Sequence, residues 1–241
     1  MQTIAAPLHE DLAPALRSIL SAAEVEFAEA GFDGAGMKAI ATRAQVSQAL
    51  LHYHYGNKER LYAEVIRHRS KEINDCRRVL LDGIDLGAPR ALAQVLDALF
   101  RPTLGPEGGG MAYARIFAGL MVGRARDQQL VRECYDPTAR LFINAMEKTG
   151  LDRADAGMVY QFALGLLASV ISRDGRMERL MGGDEKTATD DLIEALVNFV
   201  IGGAGALKAQ KKSLTGRNDN ETTETDDSGD ADINGGGSSG R

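Results

Sequence analysis

Residues Met37 to Glu59 read MKAIATRAQVSQALLHYHYGNKE. Apolar residues recur at helical spacing over residues 37–44, which predicts a first short helix. Ser47 follows the break in that pattern, and its hydroxyl can cap a second short helix over residues 47–54 by accepting a backbone N–H hydrogen bond. Two short helices joined by a tight turn are typical of the helix-turn-helix, which places its second helix in the major groove of DNA.

The second short helix and the segment after it are expected to have defined orientations. Val46 and Leu50 should face inward, with Leu51 as a further candidate, because they share one side of the helix. Asn57 is a second N-cap and begins a long helix over residues 57–82. That helix would connect the DNA-reading end to the rest of the chain.

Four blocks carry a resemblance to a known family: Phe27-Ala-Glu-Ala-Gly31-Phe32, Ile40-Ala41, Ala44-Gln45-Val46-Ser47, and Leu51-His52-Tyr53-His54-Tyr55-Gly56-Asn57-Lys58-Glu59. In order and spacing they resemble the N-terminal domain of the TetR/AcrR family of bacterial transcriptional regulators, over roughly residues 12 to 70. Two places depart from the family pattern. Ala35 and Gly36 stand where Thr or Ser is usual, and Gln45 stands where the turn usually has Gly.

The residue types and the resemblance together predict the DNA-contacting set. The set is Lys38, Ser47, Gln48, Ala49, Leu50, His52, Tyr53, His54 and Lys58. The Gln48 amide can pair with adenine, and Ala49 and Leu50 offer apolar contact to a thymine methyl. Lys58 lies at a helix N-terminus, where a phosphate is favoured, and His54 could donate to another phosphate. Each residue could instead be an ordinary surface or packed side chain.

The net charge of −6 is unevenly distributed along the chain. Residues 36–80 hold nine bases against four acids, a net of +5, whereas residues 215–241 hold seven acids against two arginines, a net of −5. Attraction to phosphates depends on the local patch rather than on the sum over the chain. The segment expected to meet DNA is therefore basic.

The remaining pattern predicts an all-α fold, because sustained β-type alternation is missing and helix formers dominate. A first helix is expected over residues 12–30, and later helices over 89–100, 111–124, 127–149, 153–174 and 187–204. The predicted organisation is an N-terminal three-helix helix-turn-helix domain (12–60), linked by helix 57–82 to a C-terminal helical-bundle domain for dimerisation and ligand binding (83–206). A disordered acidic tail (207–241) is expected to follow.

The helices near 153–174 and 187–204 are expected to form a homodimer. Residues 156–172 contain no charge, and a helix that is apolar on all sides must be buried on several of them. Pairing with a second copy would bury them, as the resemblance also implies. An ordinary core helix remains the alternative. A membrane span is not expected, since Gln161, Ser169 and two glycines interrupt the apolar run.

A small-molecule pocket is expected in the C-terminal body, as the resemblance implies. Methionines and aromatic residues suit an adaptable apolar pocket, and they suit a plain core equally well. The candidate lining residues are Phe117, Met121, Phe142, Met146 and Phe162.

No cofactor or metal is expected. His52 and His54 are two residues apart, so on a helix they point to opposite sides and cannot share one ion. Residues 34–39 match a dinucleotide-binding pattern by letter, but a helix rather than a strand precedes them. No nucleophile–histidine pattern suggests an enzyme.

The sequence thus predicts a cytoplasmic, sequence-specific DNA-binding regulator, a repressor released by a small, largely apolar effector. It would bind double-stranded DNA at a quasi-palindromic operator. The alternative is an all-helical ligand carrier or enzyme that retains a structural helix-turn-helix.

Overall fold

The computed structural model describes residues 9–105, 108–122, 125–171, 179–180, 182 and 188–223, and all regular elements within them are helices. The helices are α1 His9–Gly34, α2 Met37–Arg43, α3 Gln48–Tyr55, α4 Lys58–Asp82, α5 Ala91–Leu104, α6 Gly110–Val122, α7 Ala125–Cys134, α8 Asp136–Lys148, α9 Arg153–Ile171 and α10 Thr189–Thr223. This confirms the predicted all-α fold class, with the helix-turn-helix at the N-terminal end.

Helix α1 bends where the sequence predicts its end. Gly31 has a φ of 67°, a left-handed conformation that glycine adopts without steric cost. One further turn follows the bend, and the helix ends at Gly34. The bend brings Phe32 against Tyr62 of α4, with the ring centroids 5.1 Å apart.

The single helix predicted over residues 127–149 is wrong, because two helices occupy this segment. Helix α7 ends at Cys134, and α8 begins at Asp136 with Pro137 in its first turn. A proline at 137 has no N–H to donate to the carbonyl of residue 133, and its ring clashes with that carbonyl in a continuous helix. A new helix therefore begins at Asp136, with Tyr135 as its N-cap residue.

The last helix is longer than predicted. Helix α10 extends to Thr223, so the disordered tail expected from residue 207 does not begin there. Leu207, Lys208, Ala209 and Gln210 are good helix formers, and a helix already anchored by packing propagates through such residues at little cost. The rest of the predicted tail, residues 224–241, lies outside the described residues.

One continuous hydrophobic core connects the first three helices to the rest of the chain. Helix α4 contributes to both parts, since Leu61 and Val65 near its start and Ile73 further along it are all buried. Helices α1 and α6 also pack against each other. The orientation of the first three helices is therefore coupled to the packing of the body.

Candidate nucleic-acid interface

The turn between α2 and α3 is a Schellman motif with an unusual residue. Gln45 has a φ of 58°, and its N–H donates to Thr42 O (3.1 Å) while the Val46 N–H donates to Ala41 O (3.0 Å). Glycine is the usual residue at this left-handed position, because it has no Cβ. The departure noted in the sequence therefore falls on the one described non-glycine residue with positive φ.

Helix α3 is capped as predicted, and it is anchored by Leu51, the further candidate for its inward face. The Leu50 N–H donates to Ser47 Oγ at 3.1 Å, which makes Ser47 the N-cap. Leu51 is fully buried, whereas Leu50 is only half-buried. The expectation that Leu50 points into the core is wrong. The turn before α3 sets the rotation of this eight-residue helix, and that rotation directs Leu51 into the core.

The outward face of α3 consists of exposed side chains. Gln48, Ala49, His52 and Tyr53 are exposed, and the Tyr53 side chain is 83% exposed. His52 Nδ1 lies 2.8 Å from Gly56 O, and since a carbonyl can only accept, Nδ1 carries the proton. That bond holds the His52 ring against the end of the helix and leaves Nε2 available.

His54 is placed differently from the prediction. Its ring is half-buried, and Nε2 is buried without a hydrogen-bond partner among the described residues. It packs edge-on against Tyr53, with the ring centroids 5.0 Å apart. This placement does not support the predicted phosphate contact by His54, because the nitrogen is turned away from solvent.

Lys58 lies at the N-terminus of α4 as expected, but its ammonium is already engaged. Nζ donates to Asp33 O (3.1 Å) and Ala35 O (3.0 Å), and it lies 4.8 Å from the centroid of the Phe32 ring. These bonds satisfy carbonyls that the end of α1 leaves free. Lys58 therefore ties the end of α1 to the start of α4, and its ammonium is engaged within the protein rather than free for the predicted phosphate contact.

Many of the basic residues counted in the sequence are paired within the protein. Arg43 bonds Glu26 and Glu29, while Arg67 bonds Glu133 on α7. Two exposed bases near the turn, Lys38 and Arg60, form no ion pair within the described part of the chain. Arg60, in the first turn of α4, is an exposed cation that is not part of the DNA-contacting set predicted from the sequence.

The start of α2 lacks the side-chain cap that the family pattern would supply. Gly36 is the N-cap residue, with φ −114° and ψ 136°, and no side chain accepts a hydrogen bond there. A Cβ at this position would meet nothing within 4 Å. A Ser or Thr would therefore fit without rearrangement.

The predicted pocket residues do not share one location. Phe117, Phe142 and Met146 are fully buried, and Met121 is half-buried. Phe162 is 59% exposed, so its assignment to an internal pocket is wrong. The 156–172 run is apolar on all sides, and composition alone does not say which side of that helix faces the core.

Helices α9 and α10 pack together and expose an apolar surface. The α9–α10 face consists of Met158, Phe162, Gly165, Ala195, Phe199 and Gly202. Phe199 is 70% exposed, which is unusual for a large aromatic side chain. By length and composition alone, α9 and residues 189–210 of α10 are also apolar enough to cross a membrane.

Two family models match the chain. Residues 19–65 match the model of bacterial regulatory proteins of the tetR family, and residues 94–203 match the model described as the Tetracyclin repressor-like, C-terminal domain. The HTH-type transcriptional activator FasR of Mycolicibacterium smegmatis is 29% identical over 187 residues, which cover 77% of this chain and 80% of FasR.

Solved structures share the fold. The fatty acid degradation regulator FadR from Bacillus halodurans superposes with a TM-score of 0.61 at 18% identity, covering 79% of this chain and 96% of FadR. FadR from Bacillus subtilis in complex with stearoyl-CoA gives 0.59 at 16% identity, covering 78% of this chain and 98% of that one.

Proposed function

From the premise that the chain belongs to the TetR family of bacterial transcriptional regulators, we propose that it is a cytoplasmic, homodimeric repressor released by a small, largely apolar effector. The observation that carries the DNA-binding part is the exposed face of α3, whose start is fixed by the Gln45 turn and the Ser47 cap. A short, capped helix with exposed Gln48 and Tyr53 is suited to enter a major groove.

The side chains on this face have distinct proposed roles. Gln48 reads a base edge through its amide, and Ala49 lies beside it for a thymine methyl. Tyr53 and His52 contact the sugar-phosphate backbone or a base at the other end of the helix. Lys38 and Arg60 supply unpaired charge for phosphates, while Lys58 and His54 support the helices from within.

The α9–α10 face supports the proposed homodimer. Exposed large apolar side chains such as Phe162 and Phe199 are typical of interaction sites, and the small residues Gly165 and Gly202 allow two helices to approach closely. A second copy related by twofold symmetry would cover the patch. Two α3 helices about 34–36 Å apart would then read the half-sites of a quasi-palindromic operator.

The sign of regulation is a separate part of the proposal. A bound effector would favour a dimer whose α3 spacing no longer fits the operator, which gives release and therefore derepression. Activation is the second candidate, because FasR is described as an activator. Expression of a reporter gene placed behind the DNA upstream of this protein's gene tests the sign. Deleting the protein's gene should raise reporter expression if the protein is a repressor and lower it if the protein is an activator.

A mobility-shift titration tests the DNA-binding part. Gln48→Ala should weaken binding to the upstream DNA by about 5- to 150-fold, because a bidentate base contact contributes about 1–3 kcal/mol of discrimination. Binding to unrelated DNA should change little. Gln128→Ala, at an exposed position on α7, is the matched control and should bind as wild type.

Salt dependence identifies the phosphate contacts. Lys38→Met should lower the slope of log affinity against log salt by about one, because one fewer counterion is released. Wild-type protein that shows no salt-sensitive, sequence-preferring binding would instead support the ligand-carrier or enzyme alternative.

A further inference from the structure

The body contains a buried cation that the DNA-binding proposal does not use. Arg77, on α4, is 1% exposed. Its Nε donates to Leu99 O (3.0 Å), Nη1 to Asn74 Oδ1 (3.3 Å) and Nη2 to Thr103 Oγ1 (2.8 Å). All three acceptors are neutral. Among the residues that the structure describes, no carboxylate forms an ion pair with this guanidinium.

A buried guanidinium without a counter-charge is costly, because desolvation is not offset by an opposite charge. Burial lowers the pKa of Arg77 for this reason, yet an arginine stays protonated in a protein. The group has five N–H donors, and three are used by the protein acceptors. The two remaining donors suit a further oxygen acceptor, and an anion would also neutralise the charge.

Three buried tyrosines lie near this charge. Burial raises the pKa of each phenol, so all three hydroxyls keep their protons at neutral pH. The Arg77 charge partly offsets the pKa increase of Tyr135 and Tyr160, and Tyr113 adjoins Tyr135. Tyr113 and Tyr135 bond to each other through their hydroxyls, whereas the Tyr160 hydroxyl bonds to none of the described residues. The site is therefore rich in donors.

Apolar core side chains adjoin these tyrosines. The Tyr135 ring packs edge-on against Phe117, with the centroids 5.5 Å apart. Phe142 and Met146, both fully buried, follow Tyr135 on α8. A ligand with one charged end and an apolar remainder would match both parts of this interior.

We propose that Arg77, Tyr113, Tyr135 and Tyr160, the Arg77 cluster, form the head-group site of the effector and take a carboxylate attached to an apolar chain or ring. This rests on the proposed function, because it assumes a ligand-responsive regulator, and it narrows the effector from an apolar compound to an apolar acid. A neutral ligand would leave the guanidinium uncompensated, and a cation would be repelled by it.

Calorimetric titration of the full-length protein with decanoate and with decan-1-ol tests the proposal. Wild type should bind decanoate at least about tenfold tighter than decan-1-ol, because only the acid forms a charge-assisted pair with Arg77. Arg77→Gln should lose this preference, and Tyr160→Phe should reduce it several-fold. Arg78→Gln, the exposed neighbour that pairs with Asp75, is the matched control and should keep it.

The preference ratio separates a binding role from a structural one. A merely structural Arg77 would weaken both ligands equally, so an unchanged ratio in Arg77→Gln would overturn the proposal. Equal wild-type affinity for the acid and the alcohol would overturn it too. Decanoyl-CoA forms a third arm: if Arg77→Gln weakens it as much as decanoate, the site reads a shared carbonyl and the carboxylate assignment is wrong.

Folding and DNA binding are measured beside these titrations. Should Arg77→Gln unfold, Tyr160→Phe is the second test, because it leaves the guanidinium in place. A preference for decanoate as large as that of wild type in Tyr160→Phe would then overturn the proposal. Operator binding by ligand-free wild type tests the proposed function on its own. A protein that binds the operator but not decanoate would contradict the Arg77 cluster alone.

Discussion

Gln45 is the residue at which this helix-turn-helix is strained. A non-glycine residue in the left-handed region costs about 1–2 kcal/mol, whereas glycine costs about 0.5–1 kcal/mol through its freedom in the unfolded chain. Gln45→Gly should therefore raise the free energy of unfolding by about 0.5 kcal/mol, measured by urea denaturation. Gln45→Ala keeps the Cβ and should show no such gain; equal stability of the two variants would remove the strain argument.

Glu24 gives a prediction about pH. It is buried beside Arg69, whose Nη2 lies 3.0 Å from Glu24 Oε2, and desolvation raises the pKa of this carboxyl above 4.5. The folded state thus holds the proton more tightly than the unfolded chain does. The stability that this contributes is fully present below pH 4.5 and is lost as pH rises through the raised pKa.

The comparison with Glu24→Gln isolates that contribution. The stability of wild type relative to this variant should fall between pH 4 and pH 7, as followed by urea midpoints. Glu133→Gln is the control of opposite sign. Its hydrogen bond with Arg67 lowers the pKa of Glu133, so wild type should lose stability relative to that variant as pH falls. A flat difference for Glu24→Gln would contradict its raised pKa.

Several residue roles could not be predicted from the sequence. Lys58 and His54 match the family pattern by position, but their contacts depend on the bend at Gly31 and on the packing of Tyr53, which no local pattern encodes. Arg77 was one of nine bases in a basic segment, and its burial follows from how α4 meets α5. The Ser47 cap was predictable, because capping depends on only a few neighbouring residues.

At the scale of elements, α3 depends on its cap more than longer helices do. Eight residues are too few for a stable isolated helix, so each terminal bond matters. Ser47→Ala should lower the free energy of unfolding by about 1 kcal/mol in thermal or urea denaturation.

A charged cap separates folding from DNA binding. Ser47→Asp keeps an N-capping oxygen and should retain wild-type stability, yet its negative charge beside the phosphates should weaken operator binding. If Ser47→Asp destabilised the protein as much as Ser47→Ala, the hydrogen bond to the Leu50 N–H would not be the reason for the effect.

Helix existence could be read from the sequence more securely than helix ends. Periodicity identified the segment 127–149 as helical. The break between α7 and α8 follows from Pro137, and periodicity does not detect the effect of a single proline. The long α10 shows the converse, because composition suggested disorder where an anchored helix continues. Both errors arise where a single residue or a distant contact outweighs average composition.

At the scale of the whole molecule, the α9–α10 face predicts the oligomeric state. Phe199→Asp should convert the proposed dimer to a monomer in light scattering, because a charge would be buried at the centre of an apolar contact. Operator affinity should fall with it, since one α3 reads only a half-site. Val79→Asp, at a position 73% exposed on α4, is the control and should remain dimeric. A monomeric wild type would contradict the proposed interface.

Helix α4 has a mechanical consequence, because it is unbroken from Lys58 to Asp82. At about 1.5 Å per residue it forms a rod of about 37 Å, and Arg77 lies about 28 Å along it from Lys58. A rod of that length acts as a lever: a tilt of about 5° about the Arg77 end displaces the other end by about 2.5 Å. Such a displacement approaches the rise per base pair of DNA, about 3.4 Å. A small change in packing around Arg77 would therefore be enough to move α3 out of register with the major groove.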